Sequence, residues 1–336
     1  MACVTTLAQP APGCIDGSTW CATLLFVYIT NFWFEVFVNV SPRVLPDHNL
    51  CERFIHFLLV LSSASTILIL GTIFIFLFIT GIGAFAEISP KEFLFGRIWN
   101  PEAYGEPSWG ILSLVVGTVY VSVGGLLVAT PLGVASAVYL AEIASPATRN
   151  FLKPIIEMIA GLPSVVLGLF GLLVLAPLLS DLLNIPYALN GLTASILVGF
   201  MALPTIISIS EDVLSSVPAS YREASLALGA THWQTIKSVV LPAASRGIMA
   251  SIMLGLGRVV GETMVVLMVA GNSKAFPKSI LDPVRPITAN IAIEIKEVVV
   301  GSLHYKALFA MGLLLFLVTL IINLVGDIAI RRGVTK

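Results

Sequence analysis

The chain has 336 residues, of which 57% are hydrophobic and 11% charged, and its mean hydropathy is +0.98. This composition excludes an ordinary soluble protein and predicts an all-α polytopic protein embedded in a lipid bilayer. The formal net charge of −1 gives no indication of nucleic-acid binding.

The first 52 residues form an N-terminal extension whose status the sequence leaves open. Residues 1–20 hold one charge, Asp16, and no basic residue, so they lack the basic start of a secretory signal peptide. Residues 21–40 are hydrophobic but include polar side chains. They form an extra membrane segment, lie on the membrane surface, or are not a genuine part of the protein. All four cysteines fall in the first 51 residues at spacings that fit no zinc site, so no metal is predicted.

Residues 53–336 are expected to form one transmembrane domain with six spanning helices. A helix needs about 20 apolar residues to cross a bilayer core. The predicted spans are 57–79, 111–140, 154–179, 191–209, 247–271 and 307–330. Pro131 predicts a kink, or a transition to a surface helix, in the second span. Pro163, followed by Ser164, predicts a break in the third span, because the freed carbonyl needs another partner. The break would line a cavity or be an ordinary kink.

A polar helix-turn-helix is predicted between the fourth and fifth spans, within residues 211–246. Ser220 with Glu223, and Thr231 with Gln234, have the spacing of a capping box. Each pair is therefore expected to begin a short helix.

The turn and the end of this motif are also marked in the sequence. Gly229 can adopt the left-handed conformation that ends a helix, and Leu241-Pro242 is expected to end the second helix because proline cannot continue the hydrogen-bond ladder. The small residues Ala224 and Ser225 would allow another protein to approach closely.

The fifth predicted span contains two charges, Arg258 and Glu262. A charge at the bilayer centre costs roughly 2.5 to 3.5 kcal/mol, so both side chains should face a helix bundle or an aqueous path. On one helix they share a stripe with small residues: Gly247, Ser251, Gly255, Arg258 and Glu262. The alternative is an ion pair that only staples the helix.

The distribution of basic residues predicts the orientation of the core. Arg222, Lys237 and Arg246 place the 211–246 loop in the cytoplasm, and Arg331-Arg332 place the C-terminus there. The loop 272–306 then lies outside. Its five basic residues against three acidic ones would either concentrate an anion at the outer mouth or form an ordinary solvated loop.

The sequence predicts no catalytic site and no cofactor. It contains no phosphate-binding G-x-x-x-x-G-K-[ST] motif, and Gly255, Gly257 and Gly261 have the wrong spacing and lie in an apolar span. Their small size suits close helix packing.

Two sets of residues resemble a known family. Glu223-Ala224-Ser225, Gly229 and Val239-Val240-Leu241-Pro242 resemble the EAA loop of ABC-importer permeases, which docks on the ATPase subunit. Ser225 replaces the second alanine and Val239 the usual isoleucine. From roughly Arg53 to the C-terminus, four further segments resemble PstC-type permeases of phosphate importers: IAGLPSVVLGLFGL, GLGRVVGETMVV, SILDPVRPITANIAIEI and SLHYKALFAMGLLLFLVTLIIN.

This resemblance implies a six-helix type I ABC-importer permease in a bacterial cytoplasmic membrane, with the core termini and the EAA loop in the cytoplasm. Its cargo would be inorganic phosphate. It would work with a second, PstA-type permease, a PstB-type P-loop ATPase dimer that hydrolyses ATP, and an extracytoplasmic PstS-type phosphate-binding protein. The residues implied in the substrate pathway are Arg258, Glu262, Thr263, Ser164 and Pro163. Those implied in coupling to the ATPase are Glu223, Ala224, Ser225, Gly229, Leu241 and Pro242.

Other functions remain open from the sequence. The cargo could be another oxyanion, such as sulfate or molybdate, or another solute. A proton-driven carrier with Glu262 as its proton site is a second alternative, although such a carrier needs no loop that docks on an ATPase. A role in phosphate sensing could coexist with transport.

Overall fold

The computed structural model describes residues 50–103 and 105–332, which are mostly helical. The chain divides into two compact units, Met1–Ile67 and Leu68–Lys336. In the first unit, the described residues are the beginning of one long helix. The predicted segment 21–40 lies outside the described residues.

Thirteen helices and one small hairpin make up the described chain. The helices are α1 Leu50–Ile82, α2 Pro90–Phe95, α3 Leu112–Val138, α4 Pro146–Ala160, α5 Ser164–Phe170, α6 Ala176–Leu183, α7 Gly191–Ser215, α8 Ala219–Ala227, α9 His232–Thr235, α10 Leu241–Gly261, α11 Met264–Val269, α12 Ile287–Glu294 and α13 Leu303–Arg332. The antiparallel strands are β1 Trp99–Asn100 and β2 Ser108–Trp109, with Trp99 opposite Trp109. A 3₁₀ turn covers Gly83–Ala86, and π-helical turns cover Tyr139–Ile143, Gly171–Leu175 and Ile236–Val240.

Six helical segments of the described chain are long and apolar enough to cross a membrane, which confirms the predicted number. They are Phe57–Ala86, Leu112–Ile143, Ser164–Leu183, Gly191–Ser215, His232–Gly261 and Leu303–Gly326. Local signals begin several of these elements. Asn190 accepts a hydrogen bond from the Thr193 amide at the start of α7, and Ser145 accepts one from the Thr148 amide at the start of α4.

The third predicted span begins in the wrong place. The sequence predicts 154–179, whereas the chain forms the separate helix α4, leaves helical geometry at 161–163, and begins its crossing at Ser164. Residues 154–160 belong to α4, which has charged residues on one face and apolar residues on the other. The predicted break at Pro163 is confirmed, because Pro163 adopts an extended conformation before α5.

The fifth predicted span, 247–271, is also shifted. The crossing helix runs from His232 to Gly261, and the backbone becomes extended at Glu262 before the short helix α11. Pro242 does not end the helix as predicted. The π-helical turn Ile236–Val240 precedes α10, and its longer-range bond from the Leu241 amide to the Ile236 carbonyl lets the chain pass into α10 with proline in the first turn.

The centre of the second unit is formed by α3, α7 and α10. Gly125 on α3 and Gly199 on α7 let the two backbones approach closely, since a Cβ at Gly199 would lie 2.8 Å from the Gly125 carbonyl oxygen. Buried aliphatic side chains such as Val121, Leu197 and Val259 fill the space around this contact.

The two ends of α3 take part in two further apolar clusters. Near its start, Ile111 and Leu114 pack with Trp99 of the hairpin and Met311 of α13. At its end, Ala137 and Val138 pack with side chains that follow α9 and with the end of α7, including Ile236, Val240 and Leu214. The helix α3 therefore connects the hairpin end of the molecule with the helix-turn-helix end.

Candidate functional site

The predicted helix-turn-helix is present, and residues 219–235 are called the coupling knob below. Its first helix, α8, begins directly after Pro218, which has no side chain that can cap. Ser220 is then the second helical residue, so the capping box predicted for Ser220 and Glu223 is wrong. The helix therefore starts two residues earlier than the spacing of Ser220 and Glu223 predicts.

The turn and the second capping box are as predicted. Gly229 has φ +84°, and the Ala230 amide donates to the Ser225 carbonyl at 3.2 Å, which closes the end of α8. Thr231 and Gln234 form a reciprocal capping box, with the Thr231 amide 2.8 Å from Gln234 Oε1 and the Gln234 amide 3.3 Å from Thr231 Oγ1.

The coupling knob presents apolar and acidic groups to its surroundings. Glu223, Ala224 and Ala227 are exposed, and four large side chains are also exposed: Tyr221, Leu226, Leu228 and Trp233. Leu228 is 90% exposed. Ser225, by contrast, faces inward, because its hydroxyl lies 2.9 Å from the Thr235 hydroxyl. A patch of this kind on a polar loop is typical of a protein-binding surface.

An ion pair between the partly exposed Arg222 and a buried carboxylate attaches the coupling knob to the end of α3. Arg222 binds the carboxylate of Glu142 with two hydrogen bonds of 2.6 and 3.2 Å, and Glu142 is only 4% exposed. The His232 ring nitrogen lies 3.2 Å from the Glu142 carbonyl oxygen. The hydrogen bonding of its guanidinium to the Glu142 carboxylate is the main cause that raises the pKa of Arg222. No local sequence signal identifies Glu142, which lies 80 residues before its partner.

A second buried carboxylate ties α4 to the end of α7. Glu211 is 1% exposed on its side chain and binds Arg149 and Lys153, the latter at 2.6 Å. Lys153 also binds Asp212 at 2.8 Å, and these carboxylates raise the pKa of Lys153, with Asp212 as the largest cause. The basic face of α4 therefore points inward. Its apolar side chains, including Phe151 and Met158, point outward.

Arg258 lies at the end of α10 and does not pair with Glu262. Its guanidinium donates to Thr205 Oγ1 at 3.1 Å and to the Ala160 carbonyl at 3.2 Å. Because α10 ends at Gly261, Glu262 leaves the helical stripe, and its carboxylate accepts a hydrogen bond from the Val265 amide in the first turn of α11 at 3.1 Å. The alternative of an ion pair that staples one helix is therefore wrong for the described structure.

The rest of the predicted stripe faces α7, not lipid. Ser251 is fully buried and its hydroxyl lies 2.7 Å from that of Ser210. A Cβ at Gly255 would meet Ile206, and one at Gly247 would meet Val213. Small residues thus bring α10 close enough to α7 for Arg258 to contact Thr205.

Two breaks between helices, each at the end of a spanning segment, lie near Arg258. One is the break at 161–163, and Arg258 contacts the carbonyl of Ala160 just before it. The other is at Glu262 and Thr263, and the helix that follows it, α11, packs on α5 through Gly168. The predicted pathway residues therefore lie at these two breaks. Pro163 and Ser164 are at the first, and Glu262 and Thr263 are at the second. Such breaks expose backbone groups that are tolerated where they line a cavity or contact protein.

Two basic side chains of the loop 272–302 form ion pairs with a carboxylate of the same loop. Glu294 Oε1 accepts from Lys274 at 2.8 Å and from Arg285 at 3.3 Å, while Oε2 lies 2.9 Å from both Trp99 Nε1 and His304 Nε2. Burial alone would raise the pKa of Glu294, but these hydrogen bonds, with that to His304 the largest, lower it to about 2. Two of the five cations expected to attract an anion are thus paired with one buried carboxylate, which cancels one of their two charges.

Comparisons with known proteins agree with this architecture. The profile of the family described as binding-protein-dependent transport system inner membrane component matches residues 129–332. The chain is 39% identical over 263 residues to the probable ABC transporter permease protein YqgH of Bacillus subtilis, which covers 77% of this chain and 85% of the relative. It is 35% identical over 260 residues to the phosphate transport system permease protein PstC of Mesorhizobium japonicum, which covers 72% and 78%.

A solved structure shows the same fold. The chain superimposes on a bacterial alginate ABC transporter in complex with alginate pentasaccharide-bound periplasmic protein with a TM-score of 0.56. The match covers 86% of this chain and 99% of that chain at 17% sequence identity. At this identity the likeness concerns the fold alone.

Proposed function

Because the chain belongs to the family of binding-protein-dependent transport system inner membrane components, in its PstC-type branch, we propose that it is the permease subunit of an ATP-driven importer. This importer moves inorganic phosphate across the membrane. Membership makes it a multi-pass inner-membrane protein that works with an ATPase and a substrate-binding protein. Permeases of this kind are normally non-catalytic subunits. The proposal assigns ATP hydrolysis to the partner.

The observation that carries this proposal is the exposed coupling knob. The knob is a pair of short helices that exposes Tyr221, Leu226 and Trp233 around Glu223. A carrier driven by a proton gradient does not need such a docking surface. The surface suits a groove on an ATPase subunit, which would push on the knob during its cycle. We assign Glu223, Ala224 and Gly229 to this surface and its geometry, and Ser225, Leu241 and Pro242 to its support.

Arg258 is the residue best suited to contact the cargo. A guanidinium stays charged when it leaves water, and its planar fork can donate to two oxygens of a phosphate at once. Its present partners, a hydroxyl and a carbonyl, are neutral, so the positive charge is not cancelled by a carboxylate. Glu262, Thr263, Ser164 and Pro163 complete the pathway in this proposal by shaping the two helix breaks beside Arg258.

The assembly in this proposal has four kinds of subunit. A PstA-type permease would face the helix breaks, a PstB-type ATPase dimer would bind the coupling knob, and a PstS-type protein would deliver phosphate at the opposite side. The knob and both core termini are then cytoplasmic. Relatives of this chain that are named as phosphate transport permeases favour phosphate over sulfate or molybdate.

The first prediction tests Arg258 in the complete importer, reconstituted in proteoliposomes with phosphate, ATP and the binding protein. Arg258→Gln should assemble normally and lower ATP-dependent phosphate uptake roughly tenfold or more, since a hydrogen bond to a charged group contributes about 1.5 to 3 kcal/mol. Arg258→Lys should also be impaired, because an ammonium loses the bidentate geometry.

Arg246→Gln is the matched control, since Arg246 lies on the same helix and is exposed. Normal uptake by Arg258→Gln would remove Arg258 from the pathway. Uptake that follows a proton gradient without ATP would overturn the importer itself, and equal competition by sulfate or molybdate would overturn the choice of phosphate.

A further inference from the structure

We propose that Glu142 is a positioning residue for energy coupling, because its buried carboxylate fastens the coupling knob to α3 through Arg222. The inference rests on the proposed function, since it concerns how motion of the knob reaches the transport pathway. It identifies α3 as a receiver of that motion beside α7 and α10, the helices that precede and follow the knob along the chain.

Arg222 acts as an anchor that holds several elements together through the hydrogen bonds of its guanidinium. Besides its two bonds to Glu142, its guanidinium donates to the Val217 carbonyl at 2.6 Å and to the Leu214 carbonyl at 3.0 Å. One side chain of α8 thus holds the end of α3, the end of α7 and the turn between α7 and α8. The planar guanidinium suits this task because its donors point in fixed directions.

The position of Glu142 is fixed by its own surroundings. It lies in the π-helical turn Tyr139–Ile143 that extends α3, and π-helical turns inside helices are frequent at functional sites. Its carbonyl meets His232 of the second knob helix, so this single residue contacts both helices of the knob. The carboxylate is buried and would be left with an uncompensated charge if Arg222 moved away.

From Glu142, the helix α3 leads towards the proposed pathway. Thr118 near the other end of α3 accepts the Ile287 amide at 3.0 Å. The next residue, Thr288, donates its hydroxyl to the Glu262 carbonyl at 3.1 Å. A continuous set of contacts therefore joins the knob to the helix break beside Arg258. Spatial continuity alone does not establish coupling, so the test must measure it.

Loss of the ion pair should loosen the knob without unfolding it. Ile236 and Val240 remain packed in the apolar cluster at the end of α3, and the Ser225–Thr235 contact and the Thr231 capping box hold the two helices together. The expected result is an importer that binds its ATPase and hydrolyses ATP but transports less phosphate for each ATP.

The experiment uses the reconstituted importer with Glu142→Gln, Glu142→Asp, Arg222→Lys and the double variant Glu142→Gln/Arg222→Lys. Two quantities are measured: hydrogen exchange of the amides in residues 219–235, and phosphate transported per ATP hydrolysed. Glu157→Gln is the control, because Glu157 is an exposed carboxylate on α4. Glu142→Asp keeps the charge and tests the reach of the side chain if the glutamine variant fails to assemble.

The anchor predicts faster exchange in the knob for each single variant, and transport per ATP lower by about fivefold or more, the lower range of allosteric coupling. The double variant should lose no more than the worse single variant, because the two residues act through each other. Glu157→Gln should match wild type.

Unchanged exchange in the knob would overturn the anchor, whatever the cargo is. Faster exchange with normal transport per ATP, or additive losses in the double variant, would overturn the role in coupling. Absence of ATP-driven phosphate uptake in the wild type would instead refute the proposed function, and the exchange measurement would still decide whether Glu142 holds the knob.

Discussion

Buried carboxylates organise this chain at the level of single residues. Glu142, Glu211 and Glu294 have side chains that are 4%, 1% and 7% exposed, and each binds at least one cation. An unpaired carboxylate in such surroundings would be strongly unfavourable, so each fixes the elements that supply its partners. Two of them lie at the helix-turn-helix end of α3, and Glu294 lies at the hairpin end.

Sequence reasoning could not have identified these residues. Glu142 meets Arg222 after 80 residues, Glu211 meets Arg149 after 62, and Glu294 meets Trp99 after 195. Periodicity and capping report contacts within a few residues, whereas such pairs depend on how whole helices pack. The sequence shows only that each carboxylate lies beside an apolar stretch. It does not indicate which distant side chain binds that carboxylate.

Glu294 gives a prediction about pH and stability. Its pKa of about 2 is below the ordinary value of 4.5, so its ionised form stabilises the folded chain. That contribution is complete above about pH 4.5 and is lost as the pH falls towards 2; its upper bound is about 3 kcal/mol. In detergent, Glu294→Gln should lower the thermal unfolding temperature at pH 7, and the difference from wild type should shrink below pH 4.5.

Glu297→Gln is the control for this measurement, because Glu297 is exposed and close in sequence. It should unfold at the wild-type temperature throughout. If Glu294→Gln matched wild type at pH 7, the cluster with Lys274, Arg285 and His304 would not stabilise the fold.

At the level of elements, two of the local signals were right and one was wrong, since the capping box predicted for Ser220 and Glu223 is not formed. The left-handed Gly229 and the Thr231 capping box are local, and both are present. The stop at Pro242 assumed an unbroken α-helical hydrogen-bond ladder, and the pairing of Arg258 with Glu262 assumed 3.6 residues per turn. A π-helical turn before Pro242 and a helix end at Gly261 changed that geometry, and neither has a distinct sequence signature.

Gly229 therefore supports a prediction about the knob. A valine at φ +84° is strained, since a β-branched side chain rarely adopts the left-handed region, although no neighbouring atom would obstruct its Cβ. Gly229→Val should tilt α8 relative to α9 and reduce copurification of the ATPase subunit, while insertion in the membrane stays normal. Ala227→Val, on the exposed side of α8, is the control for added bulk. Equal recovery of the ATPase with Gly229→Val would show that the turn does not set the docking geometry.

At the level of the whole molecule, the described chain exposes wide apolar surfaces on its spanning helices. On the third spanning segment, Ser164–Leu183, the side chains of Phe170, Leu173 and Leu182 are 52%, 64% and 72% exposed. Such surfaces would drive aggregation in water, so lipid or a second permease must cover them. The six spans were predictable because hydrophobic length is a property of the local sequence. The sequence does not predict whether lipid or another helix covers each surface, because apolar side chains that face lipid and those that face another helix have the same composition.

The orientation of these spans gives the last prediction. Basic residues around the knob predict that it lies in the cytoplasm, and the loop with the exposed Val299 and Val300 then lies outside. In a variant whose four native cysteines are replaced by serine, Val300→Cys should react with an impermeant maleimide added to intact cells. Ser216→Cys, an exposed position just before the knob, should react only after the membrane is permeabilised. Reaction of both in permeabilised cells controls for accessibility. The reverse pattern would place the knob outside the cell, where no ATP-driven subunit could act on it, and would overturn the importer mechanism together with the topology.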